Sequence, residues 1–87
     1  MDFHLINGRF KAGEAELLLN ELAQAKIQHH MRRMARQGHS EEDVKSLERR
    51  IREIETDLRT TIRHIRSTGD ASGMVDIEGT ITVRRVG

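Results

Sequence analysis

The sequence predicts an α+β fold that is mainly helical, with an antiparallel two-helix hairpin flanked by an N-terminal and a C-terminal β-strand. Three observations predict it. Apolar residues follow a helical spacing through the middle of the chain, they alternate with polar residues at both ends, and a short polar link divides the helical stretch. With 87 residues, the chain has room for a single domain spanning 1–87.

The first strand is predicted over about residues 2–10. Phe3 and Leu5 alternate with polar neighbours, and Asn7-Gly8 is typical of a turn. The segment is therefore either a very small hairpin or a strand that bends into the next helix. We favour the second, because helical patterning begins directly after Phe10.

The first helix is predicted over about residues 12–37. Glu14 and Glu16 lie in its first turns, where negative charge suits the helix dipole, and Gly38 is a natural stop. Its apolar face drifts along the helix, which indicates contact with more than one surface. That face consists of Leu18, Leu19, Leu22, Ile27, Met31 and Met34.

The second helix is predicted over about residues 41–66. Ser40 and Asp43 resemble a capping box, with Asp where Glu or Gln is usual. A coiled-coil-like seam follows, made of Val44, Leu47, Ile51, Ile54, Leu58, Thr61, Ile62 and Ile65. Three i,i+4 pairs have the favourable order: Glu41–Lys45, Glu48–Arg52 and Glu55–Arg59.

A polar loop at 67–73 precedes a strand over about 74–86, whose apolar residues face one side and whose Gly79 suggests a bulge or bend. The link around 37–39 is short, so the helices should be antiparallel and the strands should pair.

A long half-apolar strand at the edge of a sheet can pair with a strand of a second chain. We expect a homodimer that joins its sheets, packs its helices as a four-helix bundle, or does both.

Composition narrows the function classes. Fifteen basic and fourteen acidic residues nearly balance, which gives no bulk electrostatic reason for binding nucleic acid or membranes. The chain has no cysteine, so disulfides and thiolate metal sites are excluded. The N-terminus lacks the pattern of a signal peptide, and no apolar run approaches the roughly 20 residues of a membrane span. We expect a cytoplasmic location, and we expect no cofactor.

Several short motifs, in this order and spacing, resemble those of small bacterial β-α-α-β proteins of the Bacteroidetes type, a group without an assigned activity. They are Ile6-Asn7-Gly8-Arg9-Phe10, Glu14-Ala15, Lys26-Ile27 with His30, Ser40-Glu41-Glu42-Asp43-Val44-Lys45 and Val75-Asp76-Ile77. Lys11 stands where the group commonly has Ser or Thr before the first helix. The resemblance implies a standalone small protein and supplies no function.

Lys26, His30 and Arg33 share one stripe of the first helix, beside its apolar face. Left unpaired, they would suit a small anion or a phosphate. The favoured interpretation is a row of interhelical or intersubunit salt bridges with Glu48 or Glu55.

The histidines raise the question of a metal site at His29, His30 or His39. Ligands on one helix should lie three or four residues apart, whereas adjacent His29 and His30 diverge by about 100°. A structural or solvated role is therefore favoured, with metal binding kept as an alternative.

The second helix also carries basic residues that suggest an alternative as a weak nucleic-acid binder, together with Arg84-Arg85. These are Arg49, Arg50, Arg52, Arg59, Arg63 and Arg66. Acidic residues interleave with them and stacking aromatics are lacking, so nucleic acid is not the expected partner.

No nucleophile elbow, phosphate-binding glycine loop or buried carboxylate pair occurs, so no enzymatic activity is expected. The favoured function is a structural or protein–protein interaction module that acts as a homodimer and engages an unidentified protein. Its candidate interaction surface comprises Lys26, His30, Arg33, Arg84 and Arg85.

Overall fold

Two helices carry a two-stranded antiparallel ribbon at one end, which is the predicted α+β fold. The computed structural model describes residues 1–36, 40–67, 69 and 72–87. In chain order the elements are β1 (Asp2–Lys11), α1 (Ala12–Arg36), α2 (Glu41–Ser67) and β2 (Met74–Thr82). The ribbon pairs β1 with β2, so the first and last elements of the chain close the fold.

The helix limits follow the local signals in the sequence. Ser40 Oγ accepts a hydrogen bond from the Asp43 backbone N–H at 3.2 Å, and Asp43 Oδ2 accepts one from the Ser40 N–H at 3.2 Å. This confirms the capping box, in which both partners satisfy backbone donors that the first helical turn leaves free. The predicted link at 37–39, and with it Gly38, lies outside the described residues.

Charge complementarity holds the open end of the hairpin. Arg66 of α2 donates to Glu16 Oε1 of α1 at 2.8 Å, because the antiparallel arrangement places the acidic start of α1 beside the basic end of α2. Of the three predicted i,i+4 pairs in the described part of α2, Glu41–Lys45 forms an ion pair, at 3.8 Å. The other two remain apart, as is common for solvated side chains.

Of the two alternatives for the N-terminal segment, the favoured one, a strand that leads into the first helix, is observed, because β1 runs without interruption through Asn7 and Gly8. They pair with Glu78 and Ile77 of β2. A Cβ placed on Gly8 would lie 3.5 Å from the Phe10 ring, so the ring packs over a position that has no side chain. Cross-strand pairing and this ring contact therefore override the local turn preference.

Two further corrections concern β2. The strand ends at Thr82 and not near residue 86. Val83 still exchanges backbone hydrogen bonds with Met1, and the strand pairing of the described residues includes no partner for positions 84–86. The bulge also lies on the other strand, since Leu5 is the extra residue between His4 and Ile6, opposite Thr80 and Gly79.

The core is thin and lies where the ribbon meets the helices. Among the described residues only Ala12, Ala15, Ile27 and Ile65 are buried. Half-buried neighbours complete the main cluster: Phe10, Leu19, Val75 and Ile77. The predicted seam of α2 is half-buried apart from exposed Thr61 and buried Ile65, so α1 covers it only partly.

Candidate interaction surfaces

One face of the ribbon is polar and internally paired. Arg9 Nε donates to Asp76 Oδ1 across the strands at 2.8 Å, and His4 Nδ1 shares a hydrogen bond with Thr80 Oγ1 at 3.2 Å. The hydrogen bond from Arg9, reinforced by its charge, holds the pKa of the Asp76 carboxyl below its usual range. This face has the character of a solvated sheet surface.

The opposite face is apolar along its whole length, although the helices cover only part of it. Phe10, Val75 and Ile77 pack against the helices. Further along the ribbon, four apolar residues on the same side remain 44% to 93% exposed: Met1, Phe3, Ile81 and Val83. We call these four residues the outer apolar face.

The bulge at Leu5 creates this continuity. Residues three apart on a regular strand point to opposite faces, so Phe3 would leave the side that Ile6 occupies. The extra residue restores Phe3 to that side, directly opposite Ile81. The alternation of β2 then extends the same apolar surface from Val75 to Val83.

Exposed apolar residues on α1 do not form a comparable patch. Leu17 is 61% exposed and Met31 is also exposed, but they lie about four helical turns apart. The stripe between them is polar and exposed, with Asn20, Glu21, Gln24 and Gln28. The predicted broad face of α1 is therefore partly open, and its open part is interrupted by amides and a carboxylate.

A groove of about 350 Å³ lies between the helices near the start of α2. We call it the interhelix cleft. His30 and Arg33 line it from α1, while Asp43, Ser46 and Arg50 line it from α2. The His30 Nε2 atom is buried and has no hydrogen-bond partner among the described residues. Burial lowers the pKa of His30, and the positive charges of Lys26, His29, Arg50 and Arg33 lower it further.

The structure brings together only part of the surface predicted from the sequence. Lys26, His30 and Arg33 share one side of α1, whereas Arg84 and Arg85 are exposed after β2, which joins the hairpin at its other end. The described residues contain no ion pair between the α1 cluster and Glu48 or Glu55, so the favoured salt-bridge row is not formed within one chain.

The sequence groups Arg50 with the other arginines of α2, and the fold places it in the cleft that His30 and Arg33 also line. Its neighbours in sequence, Arg49 and Arg52, line a separate depression together with Glu53 and Asp57. The arginines of α2 thus point in several directions and alternate with carboxylates. Nucleic-acid binding through the arginines of α2 stays a prediction.

No group of three imidazole or carboxyl side chains converges anywhere in the part of the chain that the structure describes. His39 lies outside the described residues, so the metal alternative at that position stays a prediction. Neither described helix combines the length and the apolar character needed to cross a bilayer.

Comparison with protein-family models, curated proteins and solved structures found no match.

Proposed function

We propose that this protein is a structural or protein–protein interaction module that acts as a homodimer, in which the outer apolar face of one copy packs against that of a second copy. The observation that carries the proposal is an apolar sheet surface that continues beyond the helices. The proposed role is not catalytic, and the partner of the dimer is another protein. The absence of cysteine suits a reducing compartment, and the proposed location is the cytoplasm.

The amount of exposed surface supports self-association. The chain exposes 7293 Å². A folded monomer of 10.0 kDa is expected to expose only about 5,200 Å². The excess of about 2,000 Å² is more than the roughly 800 Å² that each partner contributes to a standard protein–protein interface. A second copy can therefore bury a standard interface on surface that the folded chain already exposes, so the fold of the first copy need not change.

The shape of the chain supports the same conclusion. Its radius of gyration is 15.9 Å and its Cα atoms span 47 × 29 × 15 Å. A domain of this length is expected to have a radius of gyration of about 12 Å. A thin molecule with four buried side chains among its described residues has little internal stability, and association is a common remedy in small domains without disulfides.

A second copy is the occupant that best fits the outer apolar face. An isologous contact needs a surface that complements itself, and a flat patch of Phe, Ile and Val on a ribbon meets this need when two such patches stack. The ribbon also has two free edges, and a two-stranded sheet is marginal in water on its own. When two ribbons stack, each covers the part of the other's apolar face that the helices leave exposed.

The proposal is tested by measuring the solution mass of the full chain with size exclusion and light scattering over a hundredfold range of concentration. Twice 10.0 kDa is expected for the unchanged protein. Ile81→Lys places an ammonium group in the centre of the contact, and burying it without a partner should raise the dimer Kd by at least about tenfold.

Thr80→Lys is the matched control, because it adds the same charge one residue away on the polar face of the ribbon. It should leave the dimer intact, and circular dichroism should show the same helical signal for both variants. A monomer at every concentration would refute the homodimer. A dimer that both lysine variants leave unchanged would refute the sheet face as its interface.

A further inference from the structure

We propose that the interhelix cleft is a binding site for a small, doubly charged oxyanion of the phosphate or sulfate class, held between Arg33 of α1 and Arg50 of α2 with His30 at its side. This site goes beyond the proposed dimer. Along the axis of α1, His30 lies about 22 Å from Ala15, which belongs to the core under the ribbon. Stacking of two ribbons therefore leaves the cleft accessible.

The charges around the cleft favour an anion. In the described structure, neither Arg33 nor Arg50 forms an ion pair with a carboxylate. Asp43 is the acidic residue that lines the cleft, and one of its oxygens accepts the hydrogen bond from the Ser40 N–H that caps α2. Two guanidinium groups with five N–H donors each thus line a groove of about 350 Å³. Guanidinium groups match the oxygens of phosphate and sulfate in a bidentate manner.

His30 gives an independent indication. Its buried Nε2 atom lacks a hydrogen-bond partner within the described residues, and a buried polar atom without a partner is costly. Burial lowers the pKa of this ring, and four neighbouring groups lower it further. All four are cationic groups or imidazoles: Lys26, His29, Arg50 and Arg33. An oxyanion in the cleft offsets these charges and favours the protonated form of the ring.

The same features argue against a metal ion. A cation would meet two guanidinium groups and Lys26, with one imidazole and one carboxylate as the available ligands. Transition metals need three or four such ligands in proteins. The cleft is therefore assigned to a ligand of negative charge.

The experiment follows the ring signals of His30 by NMR on the full chain during a titration with sodium sulfate, at ionic strength held constant with sodium chloride. Sulfate is chosen because its charge does not change over the pH range in which histidine titrates. Saturable binding should raise the pKa of His30, because an anion beside the ring stabilises its protonated form. The ring of His4, on the ribbon, reports non-specific effects and should not shift.

Arg50→Gln should weaken sulfate binding by at least about tenfold, through loss of charge-assisted hydrogen bonds. Arg49→Gln is the matched control, since it removes the same charge from the adjacent residue, which lines a different depression. It should change the affinity by less than about twofold, because a solvent-exposed charge that makes no contact with the anion contributes little in salt. Equal weakening by both variants would show a general charge effect and overturn the proposal.

Two further arms identify the source of the anion. Inorganic phosphate should compete with sulfate for the His30 shift, and O-phosphoserine tests whether a phosphate ester fits the open groove. Tighter binding of O-phosphoserine assigns the site to an esterified phosphate, and tighter binding of inorganic phosphate assigns it to the free ion. The proposal fails if neither compound nor sulfate shifts the His30 signal more than chloride does.

Discussion

Ile65→Ala tests whether the small cluster at the junction of ribbon and hairpin holds the fold together. Ile65 is 7% exposed and is the one buried residue in the described part of α2. It belongs to a cluster to which both strands and α1 also contribute, so the cluster joins all four elements. Shortening it reduces the apolar contact of α2 with the other elements at this junction.

The magnitude follows from the local geometry. The change removes three carbon atoms, and each buried methylene contributes about 0.8 kcal/mol, which gives about 2.4 kcal/mol. Ile65 also borders a groove of about 420 Å³ lined by Leu19 and Ile77, so water can fill the space that the shorter side chain leaves. The additional cost of a closed cavity should then be small. We expect a loss of about 2.5 kcal/mol, near the lower end of the range for such substitutions.

The assay is urea unfolding followed by circular dichroism, at one fixed protein concentration because the stability of a dimer depends on concentration. Leu17→Ala serves as the control. Leu17 is exposed on α1, so its truncation should change the free energy of unfolding by less than about 0.5 kcal/mol. Equal losses of stability in the two variants would contradict this role of the cluster, since Ile65 would then contribute no more than an exposed side chain.

Two further variants test individual polar contacts. Asp76→Asn removes the ion pair with Arg9. Because the pKa of Asp76 is lowered in the folded state, this contribution to stability is present above about pH 4 and is lost as the pH falls through the folded-state pKa. Unfolding measured between pH 2 and 6 should show this pH-dependent difference for Asp76→Asn and not for Glu78→Gln on the same face. Ser40→Ala removes the cap of α2 and should cost about 1 kcal/mol in urea unfolding, whereas Thr56→Ala in mid-helix should cost less, and equal losses would contradict the cap.

The fold was predictable because its signals are local or periodic. The capping box set the start of α2, and the alternation around Val75 and Ile77 identified β2 and its apolar side. The ends of the strands were less predictable, because strand pairing depends on a distant partner. Asn7-Gly8 has the composition of a turn, yet it is extended because β2 lies beside it.

The candidate surfaces depended still more on the tertiary structure. The stripe of Lys26, His30 and Arg33 followed from helical spacing alone. The position of Arg50 across the cleft could not be predicted in the same way. The register of the two antiparallel helices decides which of two adjacent arginines faces the stripe. The same register left the predicted salt bridges with Glu48 and Glu55 unformed in the described chain.

The order and type of the elements, the antiparallel pairing of the helices and the apolar side of β2 could be predicted from the amino-acid sequence. These properties depend on neighbours within a few residues, where spacing and propensity act directly. Contacts between distant segments were needed to show that Leu5 forms a bulge, that the apolar face of the ribbon extends beyond the helices, and that Arg50 lies in the same cleft as His30. Each of these depends on the alignment of segments more than ten residues apart, which no local pattern specifies.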